Sequence, residues 1–374
     1  MTPKQFTISM IINVVFVFWF LENTNTCQLI QTINPVKNVM WVIFWFVYQP
    51  IFTNFNSHLL QSSRRYVIYS AAFHPHMPLL VAGLAKGNTV VFDLSTSPPN
   101  IKHCVQHHTN TVYSVAFHST LSLCATGSAD NSVILYESES ATMPLCIKHH
   151  LKDHCRWVCC VAFHPKLPFL ATGSNDNSTI LYNLSNIPPS IQYHLKHHID
   201  WVCCVHFHYN LPLFATCSID ATTIMYNFSS SLSTTTTKFP PILQHHLDDH
   251  TCCVLCVVFH PNLPLFATGS SDNCTILYDI TTLPPTIQYR LTHHTAGIVS
   301  IAFHSNLFMF ASYSGDNSII LYDIQTSPPT VKFYLQFKKY FYGRTRFVHF
   351  HPNLPLFIIS TKRQNVILYN LNKM

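Results

Sequence analysis

Along residues 65–374, short apolar runs alternate with turn residues on a repeating schedule. One apolar run ends in a Phe-His pair, as in Val112-Tyr113-Ser114-Val115-Ala116-Phe117-His118. About ten residues later a second run leads into a turn, as in Leu265-Phe266-Ala267-Thr268-Gly269-Ser270-Ser271-Asp272-Asn273. A third run follows, Thr275-Ile276-Leu277-Tyr278-Asp279. A Pro-Pro turn then opens a fourth, Thr286-Ile287-Gln288-Tyr289-Arg290-Leu291. The anchors Phe73-His74, Phe117-His118, Phe163-His164, Phe207-His208, Phe259-His260, Phe303-His304 and Phe350-His351 are spaced 44, 46, 44, 52, 44 and 47 residues apart. Four short strands per repeat of about 44 residues predict an all-β, seven-bladed β-propeller of four-stranded antiparallel blades.

The pattern His-x-x-x-Val-x-x-Val-x-Phe, Ala-Thr-Gly-Ser-x-Asp-Asn, Ile-Leu-Tyr-Asp resembles the WD40 repeat. The resemblance covers roughly residues 65–374, seven times over. It implies a His before the first strand of each blade, held by an Asp in the turn between the second and third strands. Those positions are His108 and Asp130, His154 and Asp176, His198 and Asp220, His250 and Asp272, and His294 and Asp316, always 22 residues apart. A His held by an Asp is also part of a catalytic triad. Five copies spread around a ring, with no shared nucleophile, point instead to one structural hydrogen bond per blade. Lys86 and Arg363 stand where the first and last blades would carry Asp, and Arg64 and Phe341 where they would carry His.

Two departures from the family are systematic. The Gly before the blade His is replaced by His107, Asp153, His197, Asp249 and His293. The Trp-Asp dipeptide becomes Phe92-Asp93, Tyr136-Glu137, Tyr182-Asn183, Tyr226-Asn227, Tyr278-Asp279, Tyr322-Asp323 and Tyr369-Asn370. Tyrosine keeps an aromatic body and one polar handle, so its hydroxyl is expected to join a network through Thr126, Thr172, Thr216, Thr268 or Ser312.

Composition supports a large globular fold: 374 residues, 48% apolar and 10% charged, with a mean hydropathy of +0.19. This excludes a disordered chain. The 14 cysteines include Val158-Cys159-Cys160-Val161, Val202-Cys203-Cys204-Val205 and Cys252-Cys253-Val254-Leu255-Cys256-Val257. Buried in apolar runs, they read as small reduced hydrophobes, and neighbours on a strand would point to opposite faces. That usage favours an intracellular, cytoplasmic setting. No paired CxxC zinc spacing is present, and no metal or cofactor is expected.

The net charge of +6 is local. Residues 331–374 hold eight Lys and Arg and no acid, leaving 13 cations against 15 acids elsewhere. The segment Lys338-Lys339-Tyr340-Phe341-Tyr342-Gly343-Arg344-Thr345-Arg346 interleaves cations with aromatics, a pattern suited to phosphates and stacked bases or to lipid headgroups.

The last blade ends five residues after its third strand, Asn365–Tyr369. Gln49-Pro50-Ile51-Phe52-Thr53-Asn54-Phe55 resembles the Pro-led fourth strands, so an N-terminal strand is expected to close the ring. Residues 1–48 form an apolar leader ahead of a propeller over 49–374. Within it, the 16 residues Phe6–Leu21 fall between a signal h-region and a full span, and read as a membrane anchor or uncleaved signal, or as a packed or non-native extension. Ser229–Lys238 reads as a low-complexity surface loop.

The resemblance implies a non-catalytic scaffold for other proteins, and the absence of Walker, G-x-S-x-G or HExxH motifs agrees with it. Arg156-Trp157 and Asp200-Trp201 are candidate partner contacts, since Trp and Arg dominate interface energetics. Two alternatives come from other features: an anionic partner held by Lys338, Lys339, Tyr340, Arg344 and Arg346, or a metal- or pH-sensing face built from the Phe-His histidines.

Overall fold

The computed structural model describes residues 68–93, 100–138, 145–228, 242–282, 284–336, 347–350, 356–360 and 366–370. They form seven antiparallel sheets, six with four strands and one with three, each in chain order. Every sheet is a blade. The innermost strands are Ile68–Phe73, Val112–Phe117, Val158–Phe163, Val202–Phe207, Val254–Phe259, Ile298–Phe303 and Val348–Phe350, and consecutive ones lie side by side.

The second strands read as near-continuous apolar runs because both faces are covered. All six residues of Leu123–Ser128, Phe169–Ser174, Leu213–Ser218 and Met309–Ser314 are buried. Each core is shared between neighbouring blades. Phe169, Ala171 and Leu181 of the third blade pack with Val202, Val205, Phe207 and Phe214 of the fourth. Burying each such side chain contributes about 1.5–3 kcal/mol. Phe347, just before the last innermost strand, is buried among Ile68, Ala71 and Leu80 of the first blade, so the seventh blade meets the first. Glycine in Ala-Thr-Gly-Ser is a matter of room. A Cβ on Gly173 would lie 2.7 Å from both Cys160 Sγ and Val202 Cγ1 of the next blade.

The Phe-His anchors complete the joint between blades. In each of the first six blades, the His Nδ1 accepts the backbone N–H groups two and three residues ahead. His118, for example, accepts from Thr120 (3.1 Å) and Leu121 (2.9 Å). Its ring then packs edge-on against the anchor Phe of the next blade: His74 on Phe117, His118 on Phe163, His164 on Phe207, His208 on Phe259, His260 on Phe303 and His304 on Phe350, with centroids 5.0–5.4 Å apart. One dipeptide therefore closes its own turn and seats the neighbouring blade.

The leader over 1–48, the closing strand expected at 49–55, the Ser229–Lys238 insertion and the basic segment over 338–346 lie outside the described residues. No helix among the described residues is long and apolar enough to cross a membrane.

Candidate functional site at the channel rim

Each of the five blades that carry a His–Asp pair builds the same polar network at one end of its sheet. In the second blade, His108 Nδ1 donates to Asp130 Oδ2 (2.9 Å), and Thr126 Oγ1 lies 2.7 Å from Nε2. Asp130 also accepts from Thr109 N at 2.9 Å, Ser132 N at 3.1 Å and Ser132 Oγ at 2.6 Å. The pairs His154–Asp176, His198–Asp220, His250–Asp272 and His294–Asp316 repeat this at 2.8–3.1 Å. Burial alone would raise the pKa of Asp130, Asp176 and Asp220. The hydrogen bonds from His, Ser or Thr and backbone N–H outweigh it and hold each carboxyl well below the ordinary range.

The turn that carries each Asp needs one residue at positive φ. Asn131 (71°), Asn177 (67°), Asn273 (70°) and Asn317 (64°) fill that position, and Ala221 (70°) fills it in the fourth blade. Asn131 and Asn177 also reach the next blade, donating to Cys155 O (3.2 Å) and Ile199 O (2.8 Å).

Four tyrosine hydroxyls meet the hydroxyl that serves the His, as expected: Tyr136 with Thr126, Tyr226 with Thr216, Tyr278 with Thr268 and Tyr322 with Ser312. The hydroxyls of Tyr182, Tyr226, Tyr278 and Tyr322 also pair with the residue before the His. Tyr182 donates to Asp153 Oδ2 and Tyr278 to Asp249 Oδ2, both at 3.0 Å. Tyr226 and Tyr322 pair with Nδ1 of His197 (3.0 Å) and His293 (3.2 Å). In the second blade His107 stacks on the Tyr136 ring, centroids 5.7 Å apart.

These networks fix the rim around the central channel. Trp157 O accepts Asn175 N (2.8 Å) and Trp201 O accepts Ile219 N (3.0 Å), tying each Trp backbone to the turn bearing Asp176 or Asp220. Ser174 Oγ donates to Arg156 O (3.1 Å) and Ser218 Oγ to Asp200 O (3.0 Å). On this frame the rings Tyr69, Tyr113, Trp157 and Trp201 follow one another across four blades, with centroids 5.4, 6.0 and 6.1 Å apart. Trp157 is 40% exposed, Trp201 39%, and Ile199, two residues before Trp201, 84%. A rigid, solvent-facing aromatic arc results.

The profile of the WD domain, G-beta repeat, matches residues 100–137, 145–183, 189–227, 242–279 and 285–323. The chain belongs to the WD40 family. The crystal structure of Sqt1 from Saccharomyces cerevisiae superimposes with a TM-score of 0.66 at 16% identity, covering 82% of each chain. That likeness concerns the fold alone, and 1641 solved chains match it, so architecture cannot choose a partner. No curated protein sequence matches the chain.

Within this WD40 frame the structure joins Trp157 and Trp201, which sequence reasoning had named separately. It adds Tyr69, Tyr113 and Ile199, which that reasoning missed. Arg156 and Asp200 flank the arc through their backbone bonds. Lys338, Lys339, Tyr340, Arg344 and Arg346 fall outside the described residues. Among the described residues no group of three or more His, Cys, Asp or Glu side chains is placed to hold a metal ion, and the described Phe-His histidines are engaged in turns. One expectation needs correcting. Cys252 and Cys253 do not alternate across a strand: the strand starts at Val254, and the two thiols sit in the rim loop with sulfurs 4.0 Å apart.

Proposed function

We propose that this WD40 propeller is a non-catalytic scaffold that captures another protein on the rim carrying the His–Asp pairs. The arc Tyr69–Tyr113–Trp157–Trp201 supports this reading: aromatic side chains offer large contact area at low entropic cost and dominate interface hot spots. The occupant is an extended protein segment that lays aliphatic or proline side chains against the exposed faces of the Trp157 and Trp201 rings. Arg156 and Asp200 carry opposite charges on either side, which favours an apolar anchor over a segment of one strong charge. Ring contacts from Tyr113 to Trp157 and from Trp157 to Trp201 already order both side chains, so little ordering cost falls on binding.

The test is a quantitative comparison of captured partners between wild type, Trp157→Ala/Trp201→Ala, and a control on the opposite face, Phe308→Ala. Partners lost only in the rim variant support the reading. Equal capture by all three contradicts it.

A further inference from the structure

We propose that Cys252 and Cys253 form a peroxide-responsive vicinal dithiol on the channel rim, closing reversibly to a disulfide. The two residues occupy the loop positions that Arg156-Trp157 and Asp200-Trp201 fill in the preceding blades. Cys252 is exposed and Cys253 partly covered. Their sulfurs lie 4.0 Å apart, about 2 Å beyond a disulfide bond length. Burial pushes the Cys253 thiol up, aided by the Cys252 thiol beside it.

The chemistry balances with hydrogen peroxide as oxidant. The Cys252 thiolate attacks one peroxide oxygen, the O–O bond breaks, and hydroxide leaves, giving Cys252 sulfenic acid. Cys253 sulfur then attacks the sulfenic sulfur as its own S–H proton is lost. The S–O bond breaks, and the departing hydroxyl and that proton leave as water. Two thiols are oxidised and one peroxide is reduced to two waters.

The closed state acts on the blade. Ser270 Oγ donates to Cys252 O, and Ser271 N donates to Cys253 O, both at 2.9 Å. Ser270 Oγ also accepts Asp272 N at 3.1 Å. Bridging adjacent residues forces the intervening peptide away from planarity, which strains those carbonyl bonds and the turn bearing Asp272. A link between neighbours closes almost no loop and gains no chain-entropy stabilisation. The oxidised protein is therefore expected to melt lower than the reduced one, opposite to a long-range disulfide.

The experiment treats the full chain with peroxide in the presence of dimedone, blocks remaining thiols with N-ethylmaleimide, and maps the peptides by mass. The proposal expects the Cys252-Cys253 peptide to lose two hydrogens, take up neither reagent, and recover both thiols with dithiothreitol. Cys253→Ser should instead trap dimedone on Cys252, and Cys252→Ser should leave Cys253 alkylated. Threonine, tryptophan and glycine fill position 253 in other blades, so these variants keep the fold. Exposed Cys104, Cys146 and Cys155 report the dose. The proposal is overturned if wild type accumulates dimedone on Cys252 as Cys253→Ser does. A Cys203–Cys253 bridge, or full alkylation of the pair at a dose that oxidises the three reporters, overturns it equally.

Discussion

The Tyr182 hydroxyl donates to the Asp153 carboxylate at 3.0 Å, across 29 residues of sequence. Each partner replaces a residue that the family usually carries, Trp and Gly respectively, and the two replacements satisfy each other. The same relationship joins Tyr278 to Asp249, Tyr226 to His197 and Tyr322 to His293. The two departures form one structural unit.

That unit predicts energetic coupling. Tyr182→Phe and Asp153→Ala should each destabilise the protein, and the double variant should cost less than their sum by roughly 0.5–3 kcal/mol. Chemical denaturation of the four proteins measures this coupling directly. Strict additivity would show that the bond contributes nothing.

The His–Asp network predicts unequal costs among turns. Asp220 accepts from His198 Nδ1, Ile199 N, Thr222 N and Thr222 Oγ1. Asp220→Ala leaves these donors unpaired and should cost at least about 1–3 kcal/mol. Lys86→Ala, at the matching turn of the first blade, should change the free energy of unfolding by less than about 0.5 kcal/mol.

Ala221 is the weak point of the fourth blade. Its φ of 70° suits Asn, and an Asn there would also have a carbonyl of the next blade within reach, as Asn131 and Asn177 do. Ala221→Asn should stabilise by about 0.5–1.5 kcal/mol, from relief of left-handed strain and one added hydrogen bond. A lower melting temperature would refute this.

The anchor histidines set the acid response. Burial lowers the pKa of His260 to about 4, and burial with His118 and Lys166 nearby lowers His164 to about 4. Protonation at Nδ1 would also break the two turn bonds it accepts. Above pH 6.5 both rings are neutral whether folded or unfolded, and their contribution is fully present. Between 6.5 and 4 only the unfolded chain takes up these protons, so stability falls as pH falls. The carboxylates of the His–Asp pairs are depressed in the fold, and their loss begins only below their unfolded pKa near 4. Denaturation midpoints from pH 7.5 to 4.5 should therefore decline, and His164→Gln should flatten the decline.

Repetition is why so much of this was legible from sequence. A fixed separation of 22 residues exposes His198 and Asp220 as partners because both ends recur in register. The Phe-His dipeptide was equally visible, but its second role was not: the ring of His164 seats on Phe207, a contact across blades that local turn chemistry cannot reveal. The bond from Tyr182 to Asp153 was hidden because its two ends were read as separate departures. The rim arc was hidden for another reason. Tyr69 and Tyr113 lie inside their strands while Trp157 and Trp201 lie just before theirs, and only the ring geometry brings the two registers together. Cys252 and Cys253 were misread because an apolar run continues past the point where the strand begins.

The proposed function places the partner protein on the arc Tyr69–Tyr113–Trp157–Trp201. It is tested most directly by the dissociation constant of one purified partner for wild type and for Trp157→Ala/Trp201→Ala. Exposed tryptophans at a hot spot predict a loss of at least about thirtyfold, equivalent to about 2 kcal/mol, with the melting temperature within a degree or two. An unchanged dissociation constant in the folded double variant would contradict the account.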